Sequence, residues 1–280
     1  MAQDIHANSQ AQAEVLALFV SDLHLQESLP QTAQAFLDFL QRHAVQARQL
    51  FLLGDLFEYW AGDDDLETDF HRRIVQALRA VSLAGTKLYW IAGNRDFLIG
   101  PQFAEAIGAE LLAEPFVTTI AGQKIVLVHG DAQCTDDLAY MTFRAQVRQP
   151  VWQQTFLAQS LAQRKAIIAG MRDGSRAAQK MKTAEIMDVN QDAINAVFEA
   201  TGASLMVHGH THRPARHVMH SGGQERVRFV LPDWDCELGD HHGTEAAVLR
   251  GGWCALHADG SMARLDARGR LLENYPAVPA

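Results

Sequence analysis

Five short apolar runs recur along the chain: Leu16–Val20, Leu50–Leu53, Leu88–Ile91, Ile125–Val128 and Leu205–Val207. Each is continuous rather than alternating, which predicts a strand buried on both faces. Between the first three the apolar period lengthens to that of a helix. Ala35, Phe36, Phe39 and Leu40 predict a helix over Gln31–His43. Phe70, Ile74, Ala77, Leu78 and Val81 predict another over Asp69–Ala84, stopped by Gly85, and a short one is expected near Pro101–Ile107. Strands alternating with helices predict an α/β fold whose parallel sheet is covered on both faces. From Thr135 to about Thr201 strand patterning disappears and helical spacing takes over, in a segment too long for a plain loop, so a helical insertion is expected over about 135–201. After Pro214 strand-like runs return at Val227–Leu231, Ala246–Leu249, Trp253–His257 and Ala263–Leu265. Turn signals at Ser221-Gly222-Gly223, Gly251-Gly252 and Asp259-Gly260 separate them, and they predict a second, mostly antiparallel sheet. Residues 1–14 are polar and expected to form a flexible extension before one domain over 15–280.

The polar residues that follow the five runs carry the chemistry. In order they read DLHL (Asp22, His24), GDLFEYW (Asp55), GNRDF (Asn94, Arg95), HGD (His129) and GHTHRP (His210, His212). In open α/β sheets ligands bind beyond the carboxyl ends of the strands, where these donors fall. Asp22 and His24, two apart, can point to one side and chelate one ion. Asp55 has two oxygens and can bridge two ions. Asn94 adds a neutral oxygen, and His129, His210 and His212 add imidazole nitrogens. Mixed imidazole, carboxylate and amide donors suit Mn²⁺, Fe²⁺ or Zn²⁺ better than Mg²⁺ or Ca²⁺. Two such ions about 3.5–4 Å apart would clamp a phosphate and lower the pKa of a water between them. A lone histidine after a strand is ordinarily a packing or surface residue, and His208, inside the last run, is read that way. It is the joint occurrence of five motifs that points to a dinuclear site.

Composition narrows the partners. The net charge of −9 over 280 residues argues against a general nucleic-acid binder, and no protein partner is evident. The N-terminus lacks the basic and apolar regions of a signal peptide, and no stretch approaches the roughly 18 apolar residues of a membrane span. A cytoplasmic protein is expected. Its three cysteines, Cys134, Cys236 and Cys254, are expected to stay reduced.

The five motifs resemble the calcineurin-like metallophosphoesterases over residues 16–214. The resemblance implies a four-layer α/β/β/α sandwich carrying two divalent metals, with the insertion as a helical cap. One metal would take Asp22, His24, Asp55 and His212, and the other Asp55, Asn94, His129 and His210. GDLFEYWAGDDD (54–65), GNRDFLIG (93–100), HGDAQCTDD (129–137), IMDVNQ (186–191) and HGHTHRP (208–214) carry a narrower likeness, to the UDP-2,3-diacylglucosamine hydrolase family of Gram-negative lipid A synthesis. The segment after Pro232, DWDCELGDHHG, departs from it. The narrower likeness implies Mn²⁺-dependent cleavage of a pyrophosphate to UMP and 2,3-diacylglucosamine 1-phosphate at the cytoplasmic face of the inner membrane. Asp55, Asn94, Arg95, His129 and His210 would be catalytic, and substrate contacts would fall on Asn94, Arg95, Asp137, Ser175, Gln179, Lys182 and His210, with Tyr140 as an extra contact.

Two features read physically support a lipid pyrophosphate. Arg95 stays protonated and only donates, so it cannot act as a general acid; it suits a phosphate leaving group, which needs no proton, and can grip phosphate oxygens with paired hydrogen bonds. Between Arg144 and Lys182 eight cations (Arg144, Arg148, Arg164, Lys165, Arg172, Arg176, Lys180, Lys182) face one acid, Asp173, among apolar residues such as Trp152, Phe156, Ile168 and Met171. Basic, apolar helices can meet an anionic membrane or wall a groove for acyl chains. The competing readings are a soluble nucleotide phosphoesterase of the same superfamily, and a scaffold without turnover.

Overall fold

The computed structural model describes residues 14–179, 186, 188–221, 223–237 and 249–278. In chain order β1 (Val15–Val20), α1 (Pro30–Arg42), β2 (Gln49–Leu52), α2 (Asp69–Leu83), β3 (Lys87–Ile91), α3 (Pro101–Ile107) and β4 (Ala109–Leu112) make a strand–helix alternation. β5 (Phe116–Ile120) and β6 (Gln123–Leu127) follow. Then come α4 (Leu138–Val147), α5 (Pro150–Leu157), α6 (Leu161–Gln179) and α7 (Gln191–Thr201), and finally β7 (Leu205–His208), β8 (Ala215–Ser221), β9 (Gln224–Val230), β10 (Gly252–His257), β11 (Met262–Asp266) and β12 (Leu271–Tyr275).

The strands form two sheets, ordered β12-β11-β10-β1-β2-β3-β4 and β5-β6-β7-β9-β8. The pleat explains the continuous apolar runs, because alternate residues of one strand serve different layers. Leu18, Val20, Leu50 and Leu52 pack outward against Phe36 and Phe39 of α1, Ile74 and Leu78 of α2 and Phe103 of α3. Ala17, Phe19, Phe51 and Leu53 pack inward against Ile125, Leu127, Leu205, Val207 and Phe229 of the other sheet. On that sheet's outer face Val126, Val128 and Met206 meet Ile194 and Phe198 of α7. The result is the four-layer α/β/β/α sandwich.

The C-terminal strands correct one expectation. They do not make a sheet of their own. β8 and β9 extend the β5-β6-β7 sheet, with β9 parallel to β7, while β10 pairs antiparallel to β1 and leads β11 and β12 along the first sheet. Both sheets are therefore mixed. Residues 246–248 of the expected Ala246–Leu249 strand lie outside the described residues, and Leu249 is in no strand. Residues 1–13 of the expected extension likewise lie outside them. Of the insertion, α4 and α6 reach the loops past the strand ends, through Arg144 to Asp131 and Arg172 to Glu58, whereas α7 is an outer layer of the sandwich.

The loop after β2 does much to position the rest. Asp63 receives hydrogen bonds from the backbone N–H groups of Gly100, Gln102 and Phe103, each at 3.0 Å, and from Trp60 Nε1 at 3.0 Å. A carboxylate from a distant loop thus satisfies the open N–H groups at the start of α3, where negative charge is also favoured. Its neighbours hold the cap: Arg164 of α6 bonds Asp64 and the carbonyl of Ala61, and Lys165 reaches Asp65 at 2.5 Å. Asp63→Ala is expected to cost about 2 kcal/mol, at the upper end of a lost helix cap; urea denaturation reads this, and a change below about 0.5 kcal/mol would contradict the capping role.

Candidate metal centre

Asp22, Asp55 and Asn94 lie just past the carboxyl ends of β1, β2 and β3, His129 past β6, and His210 and His212 past β7. The two sheets therefore bring their loops to one edge of the sandwich. The backbone there is unusual. Asp22, His24, Asp55, His210 and His212 all hold φ between 48° and 67°, a region that costs side-chain-bearing residues energy and tends to be kept at functional sites. The loops lock one another: Asp22 N donates to Gly54 O at 3.1 Å and His24 N to Asp55 O at 3.0 Å. Gly54, at φ 85°, leaves no room for a side chain, since a Cβ would lie 2.6 Å from both Gly93 Cα and His129 Nδ1.

Donor atoms crowd into two adjoining groups. Asp22, His24 and His212 can bring one ligand atom each within 4.8 Å of one another, and so can Asp22, Asp55 and His129. Asn94 Oδ1 lies 3.0 Å from His129 Nε2 and 2.9 Å from His210 Nδ1. Asp55 stands between, with Oδ1 3.7 Å from His129 Nε2 and Oδ2 4.0 Å from His24 Nε2. All seven side chains expected to hold metal are brought together, and Asp22 takes part in both groups rather than one.

The arrangement fits divalent cations. His24 Nε2 and His212 Nε2 face each other at 3.2 Å, and the buried Asp22 Oδ1 lies 3.4 Å from His212 Nε2. Nitrogen and oxygen donors converging this closely on one point are arranged to share a bound cation. His210 turns Nδ1 to Asn94, but in the other three rings Nδ1 meets a group outside the donor cluster: His129 Nδ1 is 2.8 Å from Leu53 O, His24 Nδ1 3.2 Å from Glu58, and His212 Nδ1 3.6 Å from Asp233. Such contacts leave Nε2 facing the site. Electrostatics agree. Burial opposes charge on His129, but Asp55, Asp22, Asp131 and Glu114 overcome it and raise its pKa to about 9. Burial and the neighbouring His129 press His210 down to about 4. The carboxylates thus demand positive charge at the centre, and in the absence of metal the imidazole of His129 provides it.

Several residues that the motifs did not single out hold this geometry. Asp96 is fully buried and accepts hydrogen bonds from the backbone N–H groups of Leu56 at 2.7 Å, Gly93 at 3.0 Å and Asp55 at 3.2 Å, knitting two ligand loops together. Burial and the charge of Asp55 raise its pKa to about 7. Ser21 Oγ and His210 N fix Asp22 Oδ2 at 2.6 and 2.8 Å. Asp131 accepts from Tyr140 Oη at 2.5 Å and Arg144 Nε at 2.8 Å, leaving the Tyr140 ring beside His210 with centroids 6.0 Å apart. Only their place inside the motifs could have flagged Asp96 and Asp131; their partners are backbone groups or distant residues. His208 sits buried in β7, bonded to Gly209 O and to Arg228, outside the donor cluster.

A cavity of about 410 Å³ opens from this centre. Asn94, Arg95 and Glu58 form its polar end. Phe97, Leu98, Trp152, Phe156, Ile168 and Met171 wall it, with Tyr140 and Arg172 also lining it. Among the other expected substrate contacts, Asp137 caps α4 by accepting from Tyr140 N at 3.1 Å. Ser175 and Gln179 lie on α6 with side chains outside the described residues, as is Lys182 entirely. The basic character of the insertion also changes in three dimensions. Arg144 and Arg148 pair with Asp131, Arg164 with Asp64, Lys165 with Asp65 and Arg172 with Glu58. These five cations turn toward acids of the body rather than away from it.

A family description of calcineurin-like phosphoesterases matches residues 16–214, which span all five motifs. The chain belongs to that family. Its curated relatives include a UDP-2,3-diacylglucosamine hydrolase of Bordetella parapertussis, 46% identical over 86% of this chain and 91% of its own. Proteins of the same name from Cellvibrio japonicus and Klebsiella pneumoniae are 44% and 47% identical, over 85% and 79% of this chain and 92% and 91% of theirs. Calcineurin-like phosphoesterases are metal-dependent hydrolases, which accords with the donor cluster built above.

Asp55→Ala should abolish turnover, by at least about 10³-fold, and leave the far-ultraviolet circular dichroism unchanged. Arg95→Ala should lower kcat by roughly 10²-fold, the scale of one lost transition-state donor, while metal content measured by mass spectrometry stays at the wild-type level. Turnover by the first variant or unchanged kinetics in the second would undo the assigned roles.

Proposed function

We propose that this phosphoesterase hydrolyses the pyrophosphate bond of UDP-2,3-diacylglucosamine, a step of lipid A synthesis, to UMP and 2,3-diacylglucosamine 1-phosphate. The observation that carries this reading is the cavity, whose apolar walls suit acyl chains and whose polar end at Asn94 and Arg95 adjoins the donor cluster. A soluble nucleotide ester has no use for such walls.

Asp22, His24, Asp55 and His212 would hold one divalent ion, and Asp55, Asn94, His129 and His210 the other, with manganese suited to the mixed donors. Bound there, the ions would neutralise phosphate oxygens and make water a nucleophile near neutral pH. The chain's own residues do the rest. Water attacks the phosphorus on the uridine side, the bond to the bridging oxygen breaks, and that oxygen leaves with the sugar phosphate. Arg95 is held by Glu58, 3.2 Å from its Nη1, and lines the cavity. It steadies phosphate oxygens without giving up a proton, and a phosphate leaving group needs none. Tyr140 and Asn94 line the same cavity, with His210 packed beside both, and Asp137, Ser175, Gln179 and Lys182 complete the proposed substrate contacts.

A glycolipid substrate places the work at the anionic cytoplasmic face of the inner membrane. Five cap cations are engaged internally, and among the described residues exposed apolar side chains of α4–α6 are available to approach lipid: Leu138, Val151, Leu157, Ile167 and Met171. No helix among the described residues is long and apolar enough to cross a membrane.

Turnover in ¹⁸O-water with manganese should release ¹⁸O-labelled UMP from UDP-2,3-diacylglucosamine at least about 100-fold more efficiently than from unacylated UDP-N-acetylglucosamine. Equal cleavage of the two, or preference for a simple nucleotide ester, would replace this reading with the soluble phosphoesterase.

A further inference from the structure

We propose that Glu58 is a positioning residue that ties the cap helix α6 to the phosphate end of the site, so that filling the apolar cavity and gripping the phosphate are one event. The proposal rests on the lipid pyrophosphatase reading above. Glu58 lies in the loop after β2, and its side chain is nearly buried. Its Oε1 accepts from Arg95 Nη1 at 3.2 Å and from Arg172 of α6, while Oε2 lies 3.2 Å from His24 Nδ1. Its backbone N donates to Leu25 O at 3.2 Å, which fixes the loop under it. A single carboxylate therefore joins a ligand-bearing loop, the proposed phosphate clamp and the cap.

The sharing has a physical consequence. Two guanidinium groups meeting on one oxygen repel each other, and only the carboxylate between them makes the arrangement favourable. Moving either cation changes the setting of the other. Arg172 is not free to move alone: it lies over the Tyr59 ring at 5.3 Å and is carried by the same helix that gives Ile168 and Met171 to the cavity wall. An acyl chain between that wall and Phe97 would set the height of α6, hence of Arg172, and through Glu58 the aim of Arg95. The other ties of α6, Arg164 and Lys165 to Asp64 and Asp65, lie two turns away and touch none of the metal-binding candidates. They anchor the helix; Arg172 is where it reaches the centre.

Two variants test this, Glu58→Gln and Arg172→Gln. The second alters only the cap side, so it reads the tie even if the first disturbs folding. Without substrate, amide hydrogen exchange over residues 166–172 should rise at least fivefold in both, with α1 unchanged. The preference in kcat/KM for acylated over unacylated UDP-sugar should shrink at least tenfold in both, and the double variant should be no worse than the poorer single within about threefold, as expected for residues acting as a unit. Arg172→Gln should keep the full manganese content. Wild-type exchange and acyl preference in Arg172→Gln, or losses that multiply in the double variant, would overturn the proposal. The exchange measurement uses no substrate, so it decides the tie even if the wild-type protein releases no UMP and the functional reading falls.

Discussion

Everything at this site follows from holding carboxylates and imidazoles together out of water. Asp22, Asp55 and His129 are essentially inaccessible, and burying such groups is unfavourable unless each charge is paired or bonded. The chain meets that demand with geometry. Residues directly after the strands take left-handed conformations that turn their side chains to one point, and buried carboxylates such as Asp96 bind the backbone of those loops so they cannot relax. The excess negative charge that remains, which drives a proton onto His129, is what a pair of divalent cations would neutralise.

The cap extends the same logic. An acidic loop after β2 would repel itself if left open, and so would the basic face of α6. Brought together, Asp64, Asp65 and Glu58 answer Arg164, Lys165 and Arg172. The helix that walls the apolar cavity is thereby fixed to the strand end that carries Asp55. Greasy wall and charged centre are neighbours because one loop serves both.

Much of this was legible in the chain. The five apolar runs became strands, and α1, α2 and α3 lie where their spacing places them, because strands buried on both faces and amphipathic helices leave strong local patterns. The exposed strands were harder to read. β12, LLENY, is almost wholly exposed at a sheet edge, and β4 buries little, so neither carries an apolar signature. The placement of β10 against β1 joins residues more than two hundred positions apart, and no local pattern encodes it. Within the site, the donor residues stood out because their types are chemical. Glu58, Asp63 and Asp96 did not, since their work is to receive hydrogen bonds from distant partners. The pairing of the basic stretch was not legible either, since Arg164, Lys165 and Arg172 meet acids of the β2 loop far earlier in the chain.

The claim that the donor cluster is a two-ion centre is tested most directly by manganese titration of the metal-free protein followed by electron paramagnetic resonance. Two ions per chain are expected at saturation, with the second producing the coupled spectrum of ions about 3.5–4 Å apart. Saturation at one ion per chain, with the spectrum of isolated manganese, would contradict it.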